Sequence, residues 1–152
     1  MFYHCYGSAH SSVVAASIHL GLLPSDRIPT AEEFVKLPLY DKTDSYKIGY
    51  PFYIGTDNKG IDVFVIGMLN QEKIVVNALN SILTEYGLDP KLCLMVETLK
   101  LVNITTRVGG FLSRRLKLVS VGRPLTIYGI QKNYKKFIYL VEKVKAKLDN
   151  IL

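Results

Sequence analysis

The sequence predicts an α/β fold, a three-layer sandwich in which helices cover both faces of a mostly parallel sheet of about five strands, one of them antiparallel in a hairpin. Three observations predict it. Apolar, β-branched runs alternate with helical periods in the order strand, helix, hairpin, helix, strand, helix, strand, helix. The run IDVFVIGM is apolar at successive positions, as a strand covered on both faces is. The chain has 152 residues, 49% hydrophobic and 21% charged, which suits one domain over 1–152 that buries its own core without metal or disulfide support.

Each element has its own local warrant. Residues 2–6, FYHCY, form a strand that enters a polar turn, and a helix from Ser11 to Leu20 stops at Gly21. Thr30 and Glu33 have capping-box spacing, so TAEEFVKL is a short helix closed by Pro38 and set at the sheet's edge. PFYIG and IDVFVIGM flank TDNKG and read as the hairpin, with the second strand central. From Gln71 the residues Ile74, Val75, Ala78, Leu79, Ile82, Leu83 and Tyr86 recur at helical spacing before Gly87. LCLMV (92–96) is a strand, and Asn103 begins a helix with Ile104, Val108, Phe111, Leu112 and Leu116 on one side. PLTIYGI (124–130) reads as the last strand, and Tyr134, Phe137, Ile138, Val141, Val144 and Leu148 mark a closing helix.

Parallel sheets bind ligands beyond the carboxyl ends of their strands, which points to the turn CYGSAHSS. A helix N-terminus leaves backbone N–H groups unpaired beside a partial positive charge, so an anion is the ligand that this turn suits. Gly7 supplies conformational freedom, Ser8, Ser11 and Ser12 supply hydroxyls, and His10 a charge when protonated. The plainer alternative makes Gly7 the turn, Ser11 or Ser12 the cap and His10 a surface residue. Cys5 has two readings as well, a small buried apolar residue or a nucleophile activated by the helix end and by His4 and His10. Cys93 and His19 read as core, and no spacing of His and Cys predicts a metal site. Which cofactor, if any, serves the turn is left unknown by the sequence.

Two known loops resemble the turn over the first twenty or so residues. GSAHSS is similar to the nucleotide-binding P-loop, with His10 at the lysine position and Ser11 at the hydroxyl position. His4 and Ala9 replace its glycines, and VFVIG ends in Gly67 where that family has aspartate. CYGSAHSS also resembles the CxGxxxRS loop of low-molecular-weight tyrosine phosphatases and arsenate reductases at Cys5, Gly7 and Ser12. That resemblance implies a Cys5 nucleophile and loop amides around a phosphoryl group. Ser11 stands where that family has its phosphate-binding arginine, so the clamp would have to come from Arg107 or another arginine.

Over most of the chain, YHCYGxxHSS with AAxIHLGLLP, and GGFLSRRL with GRP, resemble a family of small bacterial proteins known only as a domain of unknown function. The resemblance implies that the N-terminal turn and the Gly-Gly-Arg-Arg region belong to one recurring architecture, without an activity.

The formal charge is +6. Lys132, Lys135, Lys136, Lys143, Lys145 and Lys147 read as the solvated face of the closing helix. Arg107, Arg114, Arg115, Lys117 and Arg123 form a second group, richer in the planar guanidinium that suits phosphate and carboxylate. A continuous helix would carry Arg107 to the carboxyl edge of the sheet and Arg114 and Arg115 away from it, so Arg107 is expected at the loop. Gly109 and Gly110 either admit a closely packed backbone or break the helix.

The functional expectation is a loop for a phosphate-bearing small molecule, with phosphoryl or thiol chemistry at Cys5 or His10. The alternatives are an interaction module that binds protein or nucleic acid through its basic surface, and a degenerate P-loop nucleotide-binding protein. The longest apolar stretch near the N-terminus, 13–23, is too short to span a bilayer, and two free cysteines suit a reducing compartment, so a cytoplasmic protein without a membrane contact is expected.

Overall fold

The computed structural model describes residues 1–150. Its sheet has four strands, β1 (Phe2–Cys5), β2 (Phe52–Thr56), β3 (Asp62–Gly67) and β4 (Met95–Glu97), in the order β2-β3-β1-β4. β1 is parallel to both neighbours, pairing Tyr3 with Val65 and Val96, and β2 closes the edge of the sheet as the antiparallel hairpin partner of β3. The α-helices are α1 (Ser11–His19), α2 (Ala31–Lys36), α3 (Glu72–Glu85), α4 (Ile104–Arg114) and α5 (Val119–Asp149).

The fifth strand expected at 124–130 is helix instead. PLTIYGI lies in α5, whose buried Gly122, Thr126 and Gly129 recur at helical spacing, as do Ile127, Ile130, Tyr134, Phe137 and Val141. Proline and two glycines mimic the punctuation of a strand, but here the glycines are the contact surface of a helix. A Cβ on Gly109 of α4 would lie 2.7 Å from the Gly122 carbonyl oxygen and from the Thr126 nitrogen of α5. The two backbones therefore touch, which only glycine permits. The double glycine leaves α4 unbroken.

This packing turns α4 outward. Its buried face is Thr106, Gly109 and Ser113, while Ile104 is 78% and Phe111 54% exposed and Val108 is exposed beside them. The apolar side read from the periodicity thus faces solvent.

The core lies between the sheet and α1 and α5. Tyr3, Val63, Val65 and Val96 share one sheet face, and α1, buried at all nine positions, packs on β1 and β3 and on α5. α1 ends in a Schellman motif in which Gly21 (φ 72°) donates to Ile18 and Leu22 to Ser17. No residue of α3 is buried, so a full third layer is not formed by it. α2 has the expected capping box at Thr30 and Glu33, but it packs on α5 rather than at the sheet's edge, with Phe34 against Tyr40 and Tyr134.

Candidate functional site

β3 and β4 lie on opposite sides of β1, so the order of parallel strands reverses at the carboxyl end of β1, where the turn 5–12 sits. The turn's carbonyl oxygens are drawn into the surrounding protein. Cys5 and Tyr6 accept from the Met68 and Leu69 amides, Ala9 from the Asp41 amide, and His10 from Val14, all between 2.9 and 3.0 Å. Ser8 accepts from Thr43 Oγ1 at 2.8 Å. Gly67 is glycine because a Cβ there would stand 3.0 Å from Gly7 Cα and from Ser8 Oγ.

The amides behave oppositely. Among the described residues, no backbone N–H from Tyr6 to Val13 donates to an acceptor within the chain. Ser8 holds a left-handed backbone (φ 52°), and its hydroxyl, in a residue only 1% exposed, has no partner. Among the described residues Ser8 Oγ is thus a buried hydroxyl without a partner, whereas the free amides belong to residues of mixed exposure, Tyr6 being 42% exposed.

The other predicted residues divide between this cradle and its supports. Cys5 is 6% exposed, with Sγ 3.0 Å from Ser12 Oγ. Ser11 Oγ lies 3.0 Å from Thr98 Oγ1, which itself donates to the His4 carbonyl at 2.8 Å. Both serine hydroxyls thus stitch α1 to the sheet. Arg107 is exposed, and its guanidinium makes no hydrogen bond or ion pair among the described residues. The arginines linked to the turn are Arg114 and Arg123, which contact Asp41, the partner of His10.

Asp41 is the residue that sequence reasoning missed. Its side chain is fully buried and its backbone left-handed (φ 55°). Oδ1 accepts from His10 Nε2 at 3.0 Å and Ser113 Oγ at 2.7 Å, and Oδ2 accepts from Arg123 Nε at 3.1 Å. Arg114 Nη1 lies 3.5 Å from the Asp41 carbonyl oxygen. Burial pulls the Asp41 carboxyl up, but the hydrogen bonds from His10 and Ser113 outweigh it and hold the group below the usual carboxylate range. An ionised Asp41 is an acceptor only, so the Nε2 that meets it carries a proton. Nδ1 and Cε1 face Gly110, where a Cβ would come within 3.3 Å of the ring. Glycine at 110 makes room for His10. The sequence signal for Asp41 is no more than one of two aspartates, with Asp44, in a polar stretch.

His19 is a core residue, as expected. Its Nδ1 is 2.9 Å from the Tyr3 hydroxyl and its Nε2 3.1 Å from Asp57, which ties α1 to the hairpin turn. Cys93 is only half-buried, beside rather than within the core. Among the described residues no cluster of three or more His, Cys, Asp or Glu side chains forms a metal site, and no helix is long and apolar enough to cross a membrane.

Fold and site define an α/β protein with a mixed four-stranded sheet and an amide-rich turn at the carboxyl end of its central parallel strand. The chain belongs to a family described as proteins of unknown function, DUF3189, whose model matches residues 1–146. No curated protein and no solved structure matches it.

Proposed function

We propose that the turn 5–13 binds a phosphoryl group or another tetrahedral oxyanion. The observation that carries this reading is the opposition between engaged carbonyls and free amides in one turn, which also holds the unpartnered Ser8 hydroxyl, close to Gly67 of β3. An anion at a helix N-terminus satisfies such donors and meets a favourable dipole. Arg114 and Arg123 supply positive charge beside the turn in place of the arginine that Ser11 replaces. Cys5 stands at the start of the cradle, its Sγ in contact with the Ser12 hydroxyl, which suits a thiolate that attacks the phosphorus of a bound phosphate monoester, the S–P bond forming as the ester P–O bond breaks and the alcohol leaves, with water then hydrolysing the S–P bond.

Thermal unfolding with phosphate, sulfate and arsenate tests the binding. A ligand at a hundred times its Kd adds roughly 2.7 kcal/mol to stability, a shift of several degrees. The shift should shrink in Ser8→Ala. Absence of any shift in a protein that melts cooperatively rejects the reading. A Cys5→Ser variant that keeps the shift and loses hydrolysis of an aryl phosphate would assign the thiol its chemistry.

A second reading rests on α4. Its exposed Ile104, Val108 and Phe111 lie beside exposed Arg107, Arg115 and Lys117, and no Asp or Glu occurs from Thr98 to Val141. An apolar face rimmed by cations suits an acidic protein partner. Binding through it falls steeply with salt and survives Ser8→Ala.

A further inference from the structure

A groove of about 420 Å³ runs between α2 and α5, within the size range of small-molecule sites. Its walls are apolar, with Val35 on α2 facing Val119, Pro124, Ile127 and Tyr128 on α5, and Arg123 is its one charged lining residue. The walls are held in place. The capping box and the Arg27–Glu33 ion pair fix the start of α2, Gln131 Nε2 donates to the Pro29 carbonyl at 2.8 Å, and Tyr134 donates to the Pro24 carbonyl at 2.6 Å.

Arg123 joins this groove to the amide-rich turn. It lines the groove and also gives Nε to Asp41 Oδ2 at 3.1 Å, while His10 of the turn holds Oδ1 of the same carboxylate at 3.0 Å. One carboxylate thus separates the groove's cationic residue from the turn. The Arg123 Nη groups have no partner among the described residues, so donors of its planar fork remain for a second anion oxygen. A ligand that used both features would carry one anionic head and one apolar body.

We infer that the ligand is an organic anion whose head meets the turn and Arg123 and whose apolar, ring-bearing body lies in the groove, as in the phosphate monoester of an aromatic alcohol. The free Nη donors select the head, because Asp41 engages Arg123 through Nε alone and no acid lines the groove itself. The apolar walls select the body, with the Pro124 ring beside the half-exposed Tyr128, whose ring also meets Lys132 Nζ at 4.7 Å from its centroid. The inference rests on the oxyanion reading of the turn.

Titration calorimetry of the full chain with methylphosphonate and benzylphosphonate tests it, since the two share a head that no hydrolysis removes. Benzylphosphonate should bind about tenfold more tightly, the advantage of burying most of one ring. A double variant in two exposed wall residues, Val35→Asn with Tyr128→Ser, should remove that advantage and leave methylphosphonate affinity unchanged. In the native protein the methyl NMR signals of Val119 and Ile127 should move with benzylphosphonate and not with methylphosphonate. Equal affinities in the native protein, or an advantage that survives the double variant, overturn the groove and leave the turn intact. If neither phosphonate nor inorganic phosphate binds, the oxyanion reading itself fails, and this inference with it.

Discussion

His10 Nε2 and Asp41 Oδ1 stand 3.0 Å apart, and through that contact the first turn of α1 is joined to the α4–α5 pair, because Ser113 and Arg123 hold the same carboxylate. Three elements far apart in sequence therefore share one buried charge.

Removing that charge should be costly. In Asp41→Ala the Arg123 guanidinium, the Ser113 hydroxyl and the His10 Nε2–H all lose their acceptor in a largely dry environment. Loss of one partner of a buried pair costs about 3–5 kcal/mol, and the partial exposure of Arg123 sets the expectation at the lower end. Urea unfolding measures it, and a change under 1 kcal/mol would show that the cluster contributes little.

The glycines of the helix pair should be far less tolerant than the large side chain beside them. Gly109→Ala forces α4 and α5 apart, because the added methyl would meet backbone rather than a movable side chain. A loss of about 2–3 kcal/mol is expected. Phe111→Ser, on the exposed side, should stay within about 0.5 kcal/mol of the native protein. Denaturation midpoints that rank these two variants the other way would contradict the packing.

Stability should fall on mild acidification. Burial holds the imidazoles of His4 and His19 below the ordinary histidine range, with Glu72 and Asp57 only partly opposing it. The folded state therefore binds fewer protons than the unfolded one once the pH drops to the ordinary histidine value of about 6.5. The stabilisation is full above that value and is lost as the pH falls through it towards the folded values. Unfolding free energy measured against pH should slope upward from about pH 5 to 7, and His19→Gln should flatten the slope. An unchanged slope would assign the acid sensitivity elsewhere.

Pro124 is the sixth residue of α5 and has no N–H to give the Ser120 carbonyl. Pro124→Ala should raise stability by about 1–3 kcal/mol if the helix stays straight, read from the thermal midpoint. A destabilised variant would mean that the proline ring itself is packed.

Much of this was legible in the chain. The turn after β1, the capping box at Thr30 and Glu33, the hairpin around TDNKG and the stop at Gly21 rest on contacts within a few residues, and local preference decides them. So the strand, polar turn and helix start that carry the proposed site could be read from CYGSAHSS.

What lay beyond reach depended on partners distant in sequence. A run such as PLTIYGI suits a strand by composition, and only Gly109 packed against Gly122 makes the helix the better solution. The same contact turns the apolar side of α4 to solvent and brings Arg114 and Arg123, rather than Arg107, towards the turn. Asp41 has no motif at all. Its role arises because burial makes an unpaired charge costly, and His10, Ser113 and Arg123 are close enough to pair it only after the helices have packed.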